Sequence, residues 1–191
     1  MWALLTVLVA VIVIVEYRDR LHAASGTSER DARQLLPLPV NQLGAVEIAD
    51  AGVLHRFERD AAGQWFYHGV HTGTEASHTH AADPALTQRI ERAMAAFGRT
   101  RVEREFPLAG AGTEYGVATP QTVVLVYRPR ESQPLAQYAI GQVAPDTVSR
   151  YVLVVGRPVV VTIPGYQVDN LLALVRSATE TTQRGRTAAT P

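Results

Sequence analysis

A chain of 191 residues with 47% hydrophobic and 19% charged side chains is long enough for one ordinary core plus an appended segment, and too apolar for wholesale disorder. Eighteen basic and eighteen acidic residues cancel, and no arginine run stands apart from acids, which argues against a nucleic-acid partner. The absence of cysteine and lysine excludes disulfides, thiolate catalysis, Schiff-base chemistry and a phosphate-loop lysine.

Residues 1–15, MWALLTVLVAVIVIV, carry no charge and a single hydroxyl, Thr6, before the sequence turns abruptly to Glu16-Tyr17-Arg18-Asp19-Arg20. As a helix this run covers roughly 22 Å, and Tyr17 with the stems of Arg18 and Arg20 lengthens the part that a bilayer accepts. A cleaved signal peptide would begin with a basic region and end in small residues close behind the apolar stretch, and neither condition is met. The expectation is a transmembrane anchor over 1–22. Arg18 and Arg20 by themselves favour a cytoplasmic domain under the positive-inside tendency.

Residues 23–34 are small and polar and read as a tether. Folded sequence begins at 35, in extended form where Pro37 and Pro39 block helix. Residues 45–50 alternate at period two, Asp50-Ala51-Gly52 supplies a turn, and 53–60 return with alternation, which predicts a hairpin. A second turn at 61–64 leads to a third strand starting at Trp65, a candidate core residue. Asp83-Pro84 is a helix-start pair, and Leu86, Ile90, Ala93, Met94 and Phe97 follow at helical spacing, predicting a helix over 83–97.

Residues 100–106 alternate again, and glycines at 110, 112 and 116 mark a loop. Strands are then expected at 121–127, 135–140, 151–155 and 159–163, with Pro164-Gly165 turning into a helix over 168–175. The stretch 177–191 is polar, lacks an apolar face and reads as a flexible tail. The fold class expected is α+β: a transmembrane helix followed by one domain, 35–176, of two successive antiparallel-sheet-plus-helix units.

These motifs resemble the domain of unknown function 4340 family. The residues that carry the likeness are the hairpin VEIADAGVLHRFERDAAGQW, the helix start at Ala82-Asp83, and Glu114-Tyr115-Gly116 followed by Pro120. Gly141, Arg150-Tyr151-Val152 and Val159-Val160-Val161 complete it. The resemblance spans 43–175 and implies a single-pass protein of the bacterial inner membrane with a periplasmic domain. Relatives of the gliding-type ABC transporter group imply an accessory role, and no catalytic residue carries over.

One loop concentrates candidate chemistry. His68, His71, His78 and His80 are four of the six histidines, and neutral imidazoles ligate Zn or Cu(II), with Glu75 or Asp83 able to complete a shell. A solvated insertion that tolerates histidines, with Asp83 acting only as a helix cap, is the plainer account. Glu103 and Glu105 alternate with Arg101 and Arg104 and read as an ionic edge. Ser149 lacks an elbow motif, the three glycines do not join a strand to a helix, and His55 reads as a partly exposed strand residue. Two functions remain: a non-enzymatic accessory or scaffold subunit docked on a larger membrane protein complex, or a periplasmic metal-binding domain. No cofactor, small-molecule substrate or catalytic set is expected.

Overall fold

A computed structural model describes residues 33–36, 38–70 and 83–188, with side chains at 70 and 182–188 left aside. The expected anchor over 1–22 lies outside the described residues. Among those described, no helix is long and apolar enough to cross a membrane.

Eight strands form one antiparallel sheet. β1 (Ala45–Asp50), β2 (Val53–Arg59) and β3 (Trp65–Val70) make a meander, and helix α1 (Pro84–Gly98) and β4 (Arg104–Pro107) follow. β5 (Thr122–Tyr127), β6 (Ala136–Val143), β7 (Ser149–Val154) and β8 (Val159–Pro164) make a second meander, which ends in helix α2 (Gly165–Ala188). The strand order is β3-β2-β1-β5-β6-β7-β8-β4.

This corrects the expectation of two successive sheet-plus-helix units. β1 pairs antiparallel with β5 along its whole length, from Ala45 opposite Tyr127 to Asp50 opposite Thr122, so the two meanders are one sheet. Both helices then share one face of it. Period-two alternation identifies strands but not their partners, and the β1–β5 pairing links residues more than seventy apart in sequence.

The buried face is built by alternation. Val46, Ile48, Phe57, Trp65, Val124, Val126, Tyr138, Ile140, Val152, Val161 and Ile163 point toward the helices, and Leu86, Ile90, Met94, Phe97, Val168, Leu171 and Leu174 meet them. Phe97 lies edge-on to Tyr138, with ring centroids 5.2 Å apart, and the Tyr138 hydroxyl donates to the Leu35 carbonyl at 3.0 Å. That contact ties α1, the start of the folded chain and the sheet together. The Asp83 carboxylate caps α1 by accepting from the amides of Ala85 and Leu86, as its sequence suggests.

Two boundaries differ most from the sequence reading. α2 continues through Ala188, across the stretch read as a tail from 177. Ala178 is still buried, and the hydroxyls of Ser177, Thr179 and Thr181 donate back to helix carbonyls, so the polar run stays helical without a long apolar stripe. β4 begins only at Arg104, because Gln34 pairs with Arg101 in an isolated bridge and the Arg33 carbonyl accepts from the Val102 amide.

Part of the opposite face of the sheet is covered. Residues 108–117 fold over it, held by Val117, Ala139 and Val160, with Phe106, Tyr115 and Tyr151 forming a ring cluster at centroid distances of 4.9–5.8 Å. Gly112 and Gly116, at φ of 71° and 72°, bracket the 3-10 turn Thr113–Tyr115 that lies against β6. A methyl group at Gly141 would run into the Tyr115 carbonyl oxygen. Gly141→Ala is therefore expected to dislodge this turn, lower stability by about 1–3 kcal/mol in denaturant titration, and change the tyrosine bands in near-ultraviolet circular dichroism.

Candidate functional site

On the part of that second face over β2, β1 and β5, the alternation that sends Val46, Ile48, Phe57 and Val126 into the core turns Glu47, Arg56, Glu58 and Tyr127 outward together. Arg56 is the hub. Its Nη1 donates to Glu47 Oε1 at 2.7 Å and its Nε to Glu58 Oε1 at 2.8 Å, while its guanidinium carbon stands 5.4 Å above the Tyr127 ring. The Tyr127 hydroxyl donates to Glu47 Oε2 at 2.6 Å. Glu47 is only 8% exposed, so its carboxylate depends on both partners.

Desolvation, then the hydrogen bond to Glu47 and the charge of that carboxylate, push the Tyr127 hydroxyl up to about 12, against a smaller opposing pull from Arg56. Burial, offset by hydrogen bonds and charge from Glu47 and Glu58, leaves Arg56 raised and firmly cationic. Apolar side chains frame this network. Ala49, Leu54, Val123 and Leu125 are half-buried around it, with Phe66 and His68 on the β3 side.

Beside the network, an open cleft of about 710 Å³ separates the β2–β3 turn from the β5–β6 turn. Arg56, Arg59, Arg128 and Arg130 line it together with Glu58, Asp60 and Glu131. Three of these arginines are engaged internally: Arg56 as above, Arg59 through the carbonyls of Gly63 and Asn41, and Arg128 at 3.9 Å from Glu131. The arrangement binds charge to charge within the domain and, among the described residues, presents no nucleophile with a base beside it.

Of the four candidate metal ligands, His68 alone lies within the described residues; His71, His78 and His80 fall outside them, as does Glu75. β3 carries a bulge where the register shifts between Arg56 and Phe57, and Gly69 there takes a φ of 99°. His68 Nδ1 stands 3.6 Å from Glu58 Oε2. Among the described residues no cluster of three or more His, Asp or Glu side chains is placed to hold a metal ion. Asp83 is spent on the helix cap.

His55 is buried, not partly exposed as its strand position suggested. It faces the helices, stacks on Tyr67 and shares a 2.8 Å hydrogen bond through Nδ1 with the Tyr67 hydroxyl. Burial lowers its pKa, against a pull from Asp50, which favours the neutral ring. Ser149 is buried too and donates to Glu103 at 3.0 Å, with no histidine adjoining it among the described residues.

The Glu47–Arg56 pair was within reach of the sequence, because a hairpin turning at Ala51-Gly52 places 47 opposite 56. Tyr127 was not, since nothing local points to β5 as the neighbour of β1. The raised Tyr127 pKa fixes the sign of a pH effect: its contribution to stability is complete below the free phenol value near 10 and is lost as pH rises through about 12. Tyr127→Phe is expected to lose about 1–2 kcal/mol at neutral pH and to remove one late-titrating phenolate from the alkaline absorbance titration. Compared with models of protein families, with curated proteins and with solved structures, the chain matches none.

Proposed function

We propose that this chain is a non-enzymatic, membrane-anchored accessory or scaffold subunit whose domain docks on a larger membrane protein complex. The observation that carries the reading is the outer face of the sheet over β2, β1 and β5. There a rigid Glu47–Arg56–Glu58–Tyr127 network sits among half-buried Leu54, Val123 and Leu125, a mixture of fixed charge and apolar rim suited to protein recognition. The uncharged run 1–15 supports placement at a membrane.

Purification of the full chain from native membranes in mild detergent tests this. A stoichiometric partner is expected with the wild type, and at least about a tenfold loss of it with Leu54→Arg combined with Leu125→Arg, two half-buried positions, in protein whose circular dichroism matches the wild type. A wild-type chain that elutes alone sinks the docking role.

A second reading rests on His68, which β3 delivers beside Glu58 at the base of the histidine-bearing stretch. Under it, Zn or Cu(II) binds through His68, His71, His78 and His80 in an extracytoplasmic domain. Metal content of the purified chain, with and without His78→Ala and His80→Ala, decides the matter. Sub-stoichiometric metal that the double variant leaves unchanged eliminates it.

A further inference from the structure

Large apolar side chains stand exposed at Val53, Val143, Val148, Val155 and Tyr166, with Val148 70% and Tyr166 61% accessible. All but Val155 gather at one end of the sheet, and the register shows it. Val53 lies opposite Asp50, Asp50 opposite Thr122, and Thr122 opposite Ile140. Val143 lies opposite Arg150, Ser149 opposite Pro164, and the Gly165 amide donates to the Val148 carbonyl at 2.7 Å, which sets Val148 beside Tyr166.

The tip is built to hold its shape. Asp146 accepts from the amides of Val148 and Ser149, and Ser149 in turn donates to Glu103. The opposite end differs in character: its turns expose Asp60, Arg128, Arg130, Glu131 and Arg157. Four of the five exposed large apolar side chains mark one end, the apolar end, although Arg101, Glu103, Arg104 and Asp146 border it, and the other end is ionic; such a domain has a preferred way to stand at an interface.

The folded chain begins at the apolar end. The Arg33 carbonyl accepts from the Val102 amide, Gln34 bridges Arg101, and the Glu103 amide donates to Thr162, two residues from the close of β8. Only residues 23–32 separate this point from the apolar leader, a distance of at most roughly 35 Å at full extension. A bilayer holding the leader keeps the tip at high local concentration, where even a few valines and an amphipathic tyrosine suffice for contact. The exposed charges beside the tip, Arg101 and Arg104 with Glu103 and Asp146, balance, so the contact is left to the apolar side chains.

We propose that this end of the sheet rests on the bilayer, with Val143, Val148 and Tyr166 seated in the headgroup layer, so that the domain stands upright with its ionic end farthest from the membrane. The proposal rests on the membrane-anchored reading. The cysteine-free sequence makes the test direct: single cysteines replacing Val148, Tyr166 or the control Ala61 carry a fluorophore on the full chain in vesicles of phosphatidylcholine and phosphatidylglycerol.

Brominated lipid is expected to quench the labels at Val148 and Tyr166 at least about threefold more than the label at Ala61. Equal, weak quenching at all three sites, in protein that floats with the vesicles, overturns the orientation and leaves the anchor standing. Labels at the tip shielded from aqueous iodide yet untouched by brominated lipid mean that protein covers the tip, which also overturns it. Failure to float with vesicles removes the anchor itself, and the orientation with it.

Discussion

The pairing of β1 with β5 is the constraint on which the rest of the structure depends. Alone, the first meander has three strands and a single apolar face, and its β1 edge would leave Val46 and Ile48 without Val126 and Val124 beside them. Joined along Ala45–Asp50 and Thr122–Tyr127, the two meanders give one continuous floor wide enough for α1 and α2 to lie side by side. Side chains reinforce the seam at both ends. Tyr127 donates to Glu47 at one, and Thr122 donates to Asp50 at 2.8 Å at the other. Between them Val46 and Ile48 lie beside Val126 and Val124, all at most 1% exposed.

The same seam creates the polar network of the open face. Glu47 sits in the middle of an apolar strand, where an unpaired carboxylate would be costly, and the hairpin supplies Arg56 while the seam supplies Tyr127. Loss of one partner leaves the other two groups uncompensated, so the network couples β2, β1 and β5 as a unit. A surface fixed in this way keeps its shape when a partner arrives, which lowers the ordering cost of association.

Local chemistry made much of the fold legible in advance. The β1–β2 hairpin, Trp65 in the core, the Asp83-Pro84 start of α1 and the positions of β5 to β8 all follow from alternation, turn residues and helical spacing within short windows. The misreadings share a physical origin in distance along the chain or in tertiary context. Repeated strand-then-helix patterning looked like two units because alternation is silent on partners. Helix α2 outran its apolar stripe because backbone bonds and hydroxyl back-bonding carry a helix onward once it is docked. His55 looked half-exposed because a strand position alone does not reveal that Tyr67 and the helices close over it. Of the histidine cluster, His68 alone is placed, and its neighbour Glu58 was already committed to Arg56.

β4 carries a consequence for the order of events in synthesis. It leaves the ribosome before β5, yet its only neighbour in the sheet is β8, with Arg104 opposite Thr162 and Pro107 opposite Val159. At translation rates of about 5–20 residues per second, residues 104–107 wait several seconds for a strand made more than fifty residues later. The segment from Gln34 to Leu36, which leans on residues 98–101, is free to settle on α1 early, whereas the far edge of the sheet closes last. Nascent chains of this protein thus pass through a stage in which the short REFP strand is made but unmatched, and its two charges and closing proline suit a segment that must stay soluble until its mate appears.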